Sequence, residues 1–534
     1  MASLKRMQEQ REIVKATSVM GSATFASRIL GLIRDIVIAA FFGATATTDA
    51  FFLALTIPNL LRRLLGEGTL TTSFVPVYTE YLTRRPEEAP RVVHITTTVI
   101  STLLFVLTIL GIVLSPFIIK LQAPWWNDPE QIKLTVLLTR ICFPYLFFIG
   151  LMALAMGILN SHRHFLAPAA APCLLNISII ACVIFLSPRI YPPIVTAALG
   201  FALGGLAQLL LQIPFLRAKG ITFKVNFDLH HPAVRRIALM MAPMMLGIGA
   251  YQFNFVISRL LATKLPAGSV SYLFYAFRFF EFPQGIFTVA LGVAVLPSFA
   301  RLVSQKRMEE FVEGVNFSLR MMLFITIPAM VGLTILRVPI LNLILQRGDF
   351  TYHTTLMTAQ ALLYYSLSLW AYGGIQVLSR AFYALDEVKI PVTMAIGALM
   401  INLLLGFILM GPLLHAGLAL AMSIAAIVNI SLLAFFFHRK TSGIRVRELI
   451  VSVSKTAVAA TPVALVGIII ERGYTWTESG GYVAKIPLLG GGIIVAMALF
   501  FFCSYLLRNR ELHLLWDFIR SGRDRKRPFS TPQV

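Results

Sequence analysis

The chain contains repeated stretches of about twenty nearly uncharged residues, and these restrict the folds open to it. Residues 95–119 and 486–507 are two examples, and each is long enough to cross a hydrocarbon core about 30 Å thick as a helix. Only 13% of the residues are charged, compared with roughly 25% in ordinary globular proteins. Several soluble domains could not be covered with so little charge, so we predict an all-α polytopic membrane protein.

The apolar pattern predicts fourteen transmembrane helices. An even number of crossings places both termini on the same side of the membrane. The predicted spans are 17–42, 49–80, 92–119, 133–159, 165–187, 191–216, 234–263, 269–300, 309–335, 352–384, 390–411, 413–437, 449–470 and 486–507.

The orientation follows from the basic residues between these spans. The segments on the side of the termini hold 28 lysine and arginine residues, and the loops on the other side hold 8. Positive charge concentrates in cytoplasmic loops, so both termini are predicted to be cytoplasmic. The net charge of +22 is explained by this pattern, and no nucleic-acid partner is expected.

Three pairs of residues recur 221 to 226 positions apart and suggest a duplication of six helices: Pro76 and Pro297, Pro168 and Pro391, Asn176 and Asn402. Chance recurrence of Pro and Asn is the alternative. Because six is even, two such lobes would run parallel, as in two-lobed transporters. The predicted organisation is a cytoplasmic N-terminus 1–16, an N-lobe 17–217, a cytoplasmic linker 218–233, a C-lobe 234–438, a further helix pair 449–507 and a basic cytoplasmic tail 508–534.

Ten basic residues fall inside the predicted spans, where each charge costs at least about 2.5–3.5 kcal/mol at the bilayer centre. Three of them, Arg140, Arg320 and Lys455, are expected to extend to the membrane interface. Guanidinium groups bind phosphate oxygens bidentately and stay protonated, so arginines on the opening helices of both lobes predict an anionic ligand such as a phosphate or diphosphate. The substrate-binding candidates are Arg28, Arg34, Arg62, Arg63, Arg259 and Arg278.

Carboxylates are fewer in the same helices, and four of them are candidates for pairing with arginines in one conformation only. Static ion pairs are the alternative, although a buried pair is weak evidence of stabilisation. Arg278 and Glu281 are three residues apart and share a helix face. The four gating candidates are Asp35, Asp49, Glu67 and Glu281.

The second and eighth spans contain helix-breaking residues and are predicted to be discontinuous. Gly66-Glu67-Gly68 interrupts the second span, and Pro283 and Gly285 lie within the eighth. Such backbone is tolerated at membrane depth where neighbours or cavity water satisfy it. No phosphate-binding loop or metal-ligand cluster is found in the sequence, so we expect a transporter with no cofactor and no metal, and not an enzyme.

Several ordered motifs resemble the MurJ family, the lipid II flippases of the MVF branch of the MOP (MATE-like) exporter superfamily. The resemblance covers nearly the whole chain. Arg380, in the last of these motifs, joins the ion-pairing candidates. The motifs are 27–35, 48–52, 58–63, 74–76, 281–283 together with Arg278, and 379–384.

The resemblance implies that the cargo is lipid II, an undecaprenyl-diphosphate-linked disaccharide pentapeptide, moved to the periplasmic leaflet for peptidoglycan synthesis. It implies a multi-pass protein of the bacterial cytoplasmic (inner) membrane that contacts membrane lipids. It also implies that Arg28, Arg34 and Arg278 match essential cavity arginines, and that 449–507 forms a groove for the lipid tail. We expect a monomer, with peptidoglycan-synthesis proteins as candidate partners.

The sequence departs from the family pattern at two places. Phe277 stands where many members have an acidic residue, which leaves Glu281 as the expected neighbour of Arg278. Ser258 and Gly406 replace acidic ligands of the sodium site found in some members, so that site is not expected. The alternatives are another MOP-type exporter, for O-antigen-type lipid-linked oligosaccharides or drugs, and a membrane scaffold that binds a phospholipid without moving it.

Overall fold

The computed structural model describes residues 2–66, 68–285, 289–441 and 443–514. Every regular element in these ranges is helical. Within them, eight helices or joined helices are long and apolar enough to cross a membrane. The protein is therefore an all-α, multi-pass membrane protein.

The chain divides into two compact units. The first comprises residues 1–271 together with 348–350, and the second comprises 272–347 together with 351–534. Compactness and internal duplication are different criteria, so the lobe boundaries derived from the repeated Pro and Asn residues stay a prediction.

The first unit contains eleven α-helices, and a five-residue π-helical turn, Arg62–Gly66, follows α3. The helices are α1 (Ala2–Phe42), α2 (Ala46–Ala54), α3 (Thr56–Leu61), α4 (Thr69–Arg84), α5 (Ala89–Val113), α6 (Ser115–Gln122), α7 (Pro129–Cys142), α8 (Pro144–Ser161), α9 (Leu166–Leu186), α10 (Val195–Ala218) and α11 (Pro232–Ala262).

The second unit contains the remaining helices. The first of them, α12, begins in the last residues of the first unit and continues into the second unit. They are α12 (Ser269–Pro283), α13 (Val289–Ser304), α14 (Met308–Ile335), α15 (Arg337–Leu345), α16 (Tyr352–Ser366), α17 (Leu369–Ala384), α18 (Lys389–Thr441), α19 (Val446–Ala459), α20 (Thr461–Gly473) and α21 (Tyr482–Leu506).

The predicted break in the second span is confirmed. The second span is divided among α2, α3, the π-helical turn and α4, and Gly68 before α4 has a φ of 102°. In the eighth span, α12 ends at Pro283 and α13 begins at Val289. Residues 286–288 between them lie outside the described residues, so a break there stays a prediction. Glycine permits positive φ, so Gly68 interrupts the second span where the sequence indicates.

The eleventh and twelfth predicted spans meet at a sharp break inside α18. Leu414 has a φ of 49° and a ψ of −134°, which are not helical values. Pro412 lies just before it. The break separates two helical segments at the position where the sequence predicts a short loop.

Small and aromatic side chains form the core of the first unit around α4, α5 and α8. Phe74 and Tyr78 of α4 are fully buried and stack with ring centroids 5.1 Å apart. Val92 of α5 and Ile158 of α8 are also fully buried and belong to the same cluster. Close packing of this kind holds membrane helices together by dispersion and shape, because the lipid offers no hydrophobic drive for association.

In the second unit, the helix pair α20–α21 packs on α14 and α15. Phe324 of α14 and Phe500 of α21 lie 5.1 Å apart in one cluster. A second cluster contains Trp476, in the loop between α20 and α21, whose indole Nε1 donates to the Ile470 carbonyl at 3.0 Å.

The structure gives Arg320 two carboxylate partners, and the expectation that it extends to the membrane interface stays a prediction. This α14 side chain is 10% exposed and lies 2.6 Å from Glu448 and 3.4 Å from Glu511. Two carboxylates from segments distant in sequence therefore neutralise it inside the protein. The predicted basic tail, 508–534, lies mostly outside the described residues, which end at position 514.

Candidate functional site

Arg34 is held on the inner face of α1 by two side chains. Its Nε and Nη2 both donate to Oδ1 of Asp35, at 3.0 and 2.6 Å, and its Nη1 donates to Oδ1 of Asn176 on α9 at 3.1 Å. The Arg34 and Asp35 side chains are only 13% and 8% exposed. The carboxylate of Asp35 thus compensates the positive charge of the guanidinium, and the neutral amide of Asn176 helps to fix its orientation.

Asn176 also attaches α9 to the backbone of α1. Its Nδ2 donates to the Ser27 carbonyl at 3.1 Å and to the Pro172 carbonyl at 3.3 Å. A Cβ added at Gly31 would lie 3.8 Å from the same amide. Positions 27, 31 and 34 share one helix face, so the absence of a side chain at 31 allows Asn176 to reach both neighbours.

A cavity of about 270 Å³ opens beside this contact, between α1, α8 and α9. Among the described residues that line it, Arg28 is the one charged side chain, and it faces mainly apolar neighbours. Ser27 and Pro172 belong both to the lining and to the Asn176 contact, so the cavity and the Arg34 cluster are continuous. The lining residues are Met20, Thr24, Ser27, Arg28, Met156, Asn160, Phe165, Pro168, Ala169 and Pro172.

Asp49 of α2 is bonded to the start of α12. It is 2% exposed, and its carboxylate accepts from the Gly268 N–H at 2.6 Å, the Ser271 N–H at 2.8 Å and the Ser271 hydroxyl at 2.6 Å. An arginine partner was expected for this carboxylate; the structure provides a helix N-terminus instead. The positive end of the helix dipole stabilises a carboxylate in the same way that a cation would.

Two of the candidate arginines connect α11 to the discontinuous second span. Arg63 Nη1 donates to Oε1 of Gln252 on α11 at 3.3 Å. Arg259 of α11 donates to the Thr56 hydroxyl at 2.8 Å. Both contacts join a guanidinium nitrogen to a neutral oxygen and so help to orient the side chain.

Arg62 lies next to Arg63 in the π-helical turn and donates from Nε to Oδ1 of Asn59 at 3.3 Å. Glu67, the gating candidate that follows this turn, lies outside the described residues.

In the second unit, the i,i+3 pair forms as its spacing predicts. Arg278 Nη1 lies 3.4 Å from Glu281 Oε2, and both side chains are more than 30% exposed. The Arg278 guanidinium also lies 5.3 Å from the ring centroid of Phe274. Arg380 of α17 is half-buried, and its Nη1 has no hydrogen-bond partner among the described residues.

The structure therefore places Arg28 in the lining of the cavity and pairs Arg34 with Asp35 near it, and it adds partners that the sequence did not identify as functional. The convergence of Arg278 with Arg28 and Arg34 stays a prediction. The added partners are Thr56, Asn176, Gln252 and Ser271.

Comparison with known proteins gives a consistent result. The sequence model of the family described as "Lipid II flippase MurJ" matches residues 38–484. A protein of Buchnera aphidicola subsp. Acyrthosiphon pisum named "Probable lipid II flippase MurJ" is 35% identical over 498 residues, covering 92% of this chain and 97% of its own. "Lipid II flippase MurJ" of Burkholderia cenocepacia is 34% identical, covering 80% and 84%.

Solved structures agree with these sequence matches. One described as "Lipid II flippase MurJ, inward closed conformation" is 28% identical with a TM-score of 0.76, and 92% of this chain and 98% of that chain are covered. An inward-facing MATE-family multidrug transporter of the MOP superfamily, 14% identical with a TM-score of 0.67, covers 79% of this chain and 98% of its own and shows a likeness of fold alone. The chain belongs to the MurJ family of lipid II flippases.

Proposed function

We propose that this protein moves lipid II, the undecaprenyl-diphosphate-linked peptidoglycan precursor, from the cytoplasmic to the periplasmic leaflet by alternating access. The observation that carries the proposal is the cavity beside α1, where Arg28 faces apolar walls and the Arg34 cluster adjoins it. An anionic headgroup attached to an apolar chain has the chemistry that such a lining binds. Membership of the family supports the same cargo.

The Arg34 cluster suggests how a diphosphate would be taken up. Asp35 accepts from both Nε and Nη2 of Arg34, which are the donors that a phosphate binds bidentately. A diphosphate would therefore replace Asp35 on the guanidinium, while Asn176 continues to hold Nη1. In this proposal Asp35 compensates the positive charge of Arg34 when the cavity holds no substrate.

The remaining candidate charges are assigned to the same cycle. Arg62, Arg63, Arg259 and Arg278 extend the cationic lining, and Asp49, Glu67, Glu281 and Arg380 exchange partners between conformations. Asp49 supports this assignment, because bonds to a helix N-terminus can form or break when helices move as rigid bodies.

The finer architecture belongs to the same proposal. Fourteen spans form two parallel six-helix lobes, 17–217 and 234–438, and the pair 449–507 holds the prenyl tail outside them. Both termini are cytoplasmic and the protein acts as a monomer in the inner membrane. Peptidoglycan-synthesis enzymes that consume the flipped precursor are the partners expected at the periplasmic face.

Complementation of bacteria depleted of their own flippase tests the proposal. The unmodified chain should restore growth, and Arg28→Ala and Arg34→Ala should abolish rescue, because each removes a guanidinium from the cavity region. Arg140→Ala is the matched control: this arginine also lies in a span, but it donates to the Ser115 hydroxyl at 3.0 Å on α6, away from the cavity, and should rescue.

Protein levels in the membrane must be equal for all variants. Rescue by both alanine variants at the cavity would remove these arginines from the mechanism. Failure of the unmodified chain, when it is expressed and inserted, would favour a different MOP-type cargo.

A further inference from the structure

The segment between α10 and α11 presents a row of apolar side chains to its surroundings. Apolar and polar residues alternate from Ile221 to Leu229. Phe223, Val225, Phe227 and Leu229 are 50%, 80%, 62% and 58% exposed. A contiguous exposed apolar patch on a folded protein marks a contact with a membrane or with another molecule.

The two ends of this segment are fixed by helix caps. Gly220 follows α10 with a φ of 72°, and the Ile221 N–H donates to the Leu216 carbonyl at 3.1 Å, which is the pattern of a Schellman cap. At the other end, Nδ1 of His231 accepts from the Ala233 N–H at 3.3 Å and caps α11. The path of the chain is therefore set where it enters and leaves the segment.

The polar positions attach the middle of the segment to α5. The Asn226 N–H donates to the Thr98 hydroxyl at 3.0 Å, and the Asp228 carboxylate lies 2.9 Å from Arg91. His94 Nε2 forms a hydrogen bond of 2.9 Å with the carbonyl of Thr222. These contacts hold the backbone against the helix, so the apolar side chains are directed away from the protein by a fixed backbone.

The helix that carries the segment indicates what surrounds those side chains. α5 is one of the apolar helices able to cross the membrane. His94 and Thr98 lie about 8 and 14 Å along the helix axis from its first residue, Ala89. The contacts are therefore made to the first three turns of a helix that can cross the membrane.

The covered face of α5 continues as a face exposed to lipid. Positions 91, 94 and 98 share a helix face with 105 and 109. Phe105 and Ile109 are 57% and 45% exposed. The segment thus covers the first turns of this apolar face of α5. Where it does so, its own exposed side chains form the outer apolar surface.

Basic residues flank the apolar row. Arg217, Lys219 and Lys224 are exposed, as are Arg235 and Arg236 at the start of α11. Aromatic and aliphatic groups next to lysine and arginine are typical of surfaces that lie at an anionic membrane interface.

We propose that residues 221–229 form a membrane-interface anchor, in which Phe223, Val225, Phe227 and Leu229 insert into the cytoplasmic leaflet. The flanking lysines and arginines contact the headgroups of anionic lipids. The anchor fixes the linker between α10 and α11 at the bilayer surface. This inference does not depend on the identity of the transported molecule.

Nitroxide labels in vesicles test the anchor directly. Val225→Cys and Phe227→Cys are made in the full chain after its four cysteines, Cys142, Cys173, Cys182 and Cys503, are replaced by alanine. The labelled protein is reconstituted into phosphatidylethanolamine and phosphatidylglycerol vesicles. Collision with oxygen, which concentrates in the bilayer, is compared with collision with a water-soluble nickel complex.

Both labels should collide mainly with oxygen. Lys224→Cys is the matched control, because it is the adjacent exposed residue on the polar side, and its label should collide mainly with the nickel complex. Mainly nickel collisions at 225 and 227 would show that the row faces water. Exclusion of both reagents there would show that protein covers it, and either result would overturn the proposal.

Discussion

Arg34 and Asp35 are neighbours in the sequence, and side chains one residue apart on a helix do not normally face each other. They pair here because Asn176 of α9 holds Nη1 of the guanidinium, which leaves Nε and Nη2 directed towards Asp35. Asn176 is thus a positioning residue: it touches the arginine and the α1 backbone, and it determines where the charge lies.

Replacing Asn176 with alanine should lower both stability and transport. The change leaves Nη1 of Arg34 without its acceptor, and an unsatisfied buried polar group costs about 1–3 kcal/mol. The thermal unfolding midpoint of the purified protein in detergent should fall, and rescue of flippase-depleted cells should weaken.

Thr24→Ala is the control for this variant. Thr24 also lies on α1 at the cavity, but its exposed hydroxyl donates only to the Met20 carbonyl of its own helix. Its effect should stay within about 0.5 kcal/mol, as for surface changes generally. Equal midpoints for Asn176→Ala and the unmodified chain would contradict the role given to the amide.

For individual residues, the sequence identifies the charged side chains but not their neutral hydrogen-bond partners. An arginine in an apolar helix is conspicuous because its charge is costly there. Asn176, Gln252 and Thr56 carry no such signal, because neutral polar residues are common in membrane helices and their contacts depend on which helices pack together.

Arg320 shows what the sequence could not predict about charges in the second unit. Its partners Glu448 and Glu511 are 128 and 191 residues away, on segments whose packing against α14 is a property of the fold. From the sequence alone, the arginine twelve residues inside α14 is predicted to extend to the interface. The structure shows partners that this prediction does not include, and they connect α19 and the segment after α21 to α14.

Arg320→Met should therefore destabilise the second unit strongly. It leaves the Glu511 carboxylate, which is 4% exposed, without its cation, and breaking a buried pair in this way costs about 3–5 kcal/mol. Unfolding of the detergent-solubilised protein, followed by circular dichroism, should show a lower midpoint. Adding Glu511→Gln to the same chain should recover much of the loss.

The control is Arg445→Met. Arg445 lies 3.4 Å from the same Glu448, but both side chains are more than 40% exposed, so the change should cost at most about 1 kcal/mol. If the Arg320 and Arg445 variants lost the same stability, the buried network would not be what holds α14, α19 and the C-terminal segment together.

Breaks within a predicted helix are easier to predict from the sequence than short helices in predicted loops. Gly68 and the break at Leu414, which follows Pro412, lie where glycine and proline indicate an end, because their backbone chemistry is local. The short helix α15 (Arg337–Leu345) was not predicted. Arg337 at its start and Arg347 just after its end make the region resemble a loop, and the helix packs against α16, α20 and α21.

The number of membrane crossings is a property of the whole molecule, and the sequence predicts fourteen of them. Eight helices or joined helices in the described part of the chain pass a strict test of length and apolarity. The segment α2–α4 is not among them, because it is broken into short helices and carries candidate charges. Charged residues lower the apolarity of a membrane helix, so a hydropathy threshold can miss a span that carries function.

Cysteine accessibility in intact cells distinguishes fourteen crossings from eight. Ala267→Cys should react with a membrane-impermeant maleimide added outside, because α11 would carry the chain to the periplasm. Val388→Cys should react only after permeabilisation, because α16 and α17 would return it to the cytoplasm. Both positions are exposed, and a chain that crosses only at the strictly apolar helices would place 267 inside.

Two positions on either side of α5 and α6 calibrate the experiment, because this crossing is required by either count. Glu87→Cys should be protected in intact cells and Asn127→Cys should be labelled. Position 267 behaving like 87, with 127 labelled normally, would mean that α11 does not cross. The lobes would then lose their parallel arrangement, and Arg259 and Arg278 could not lie at membrane depth beside a translocated headgroup.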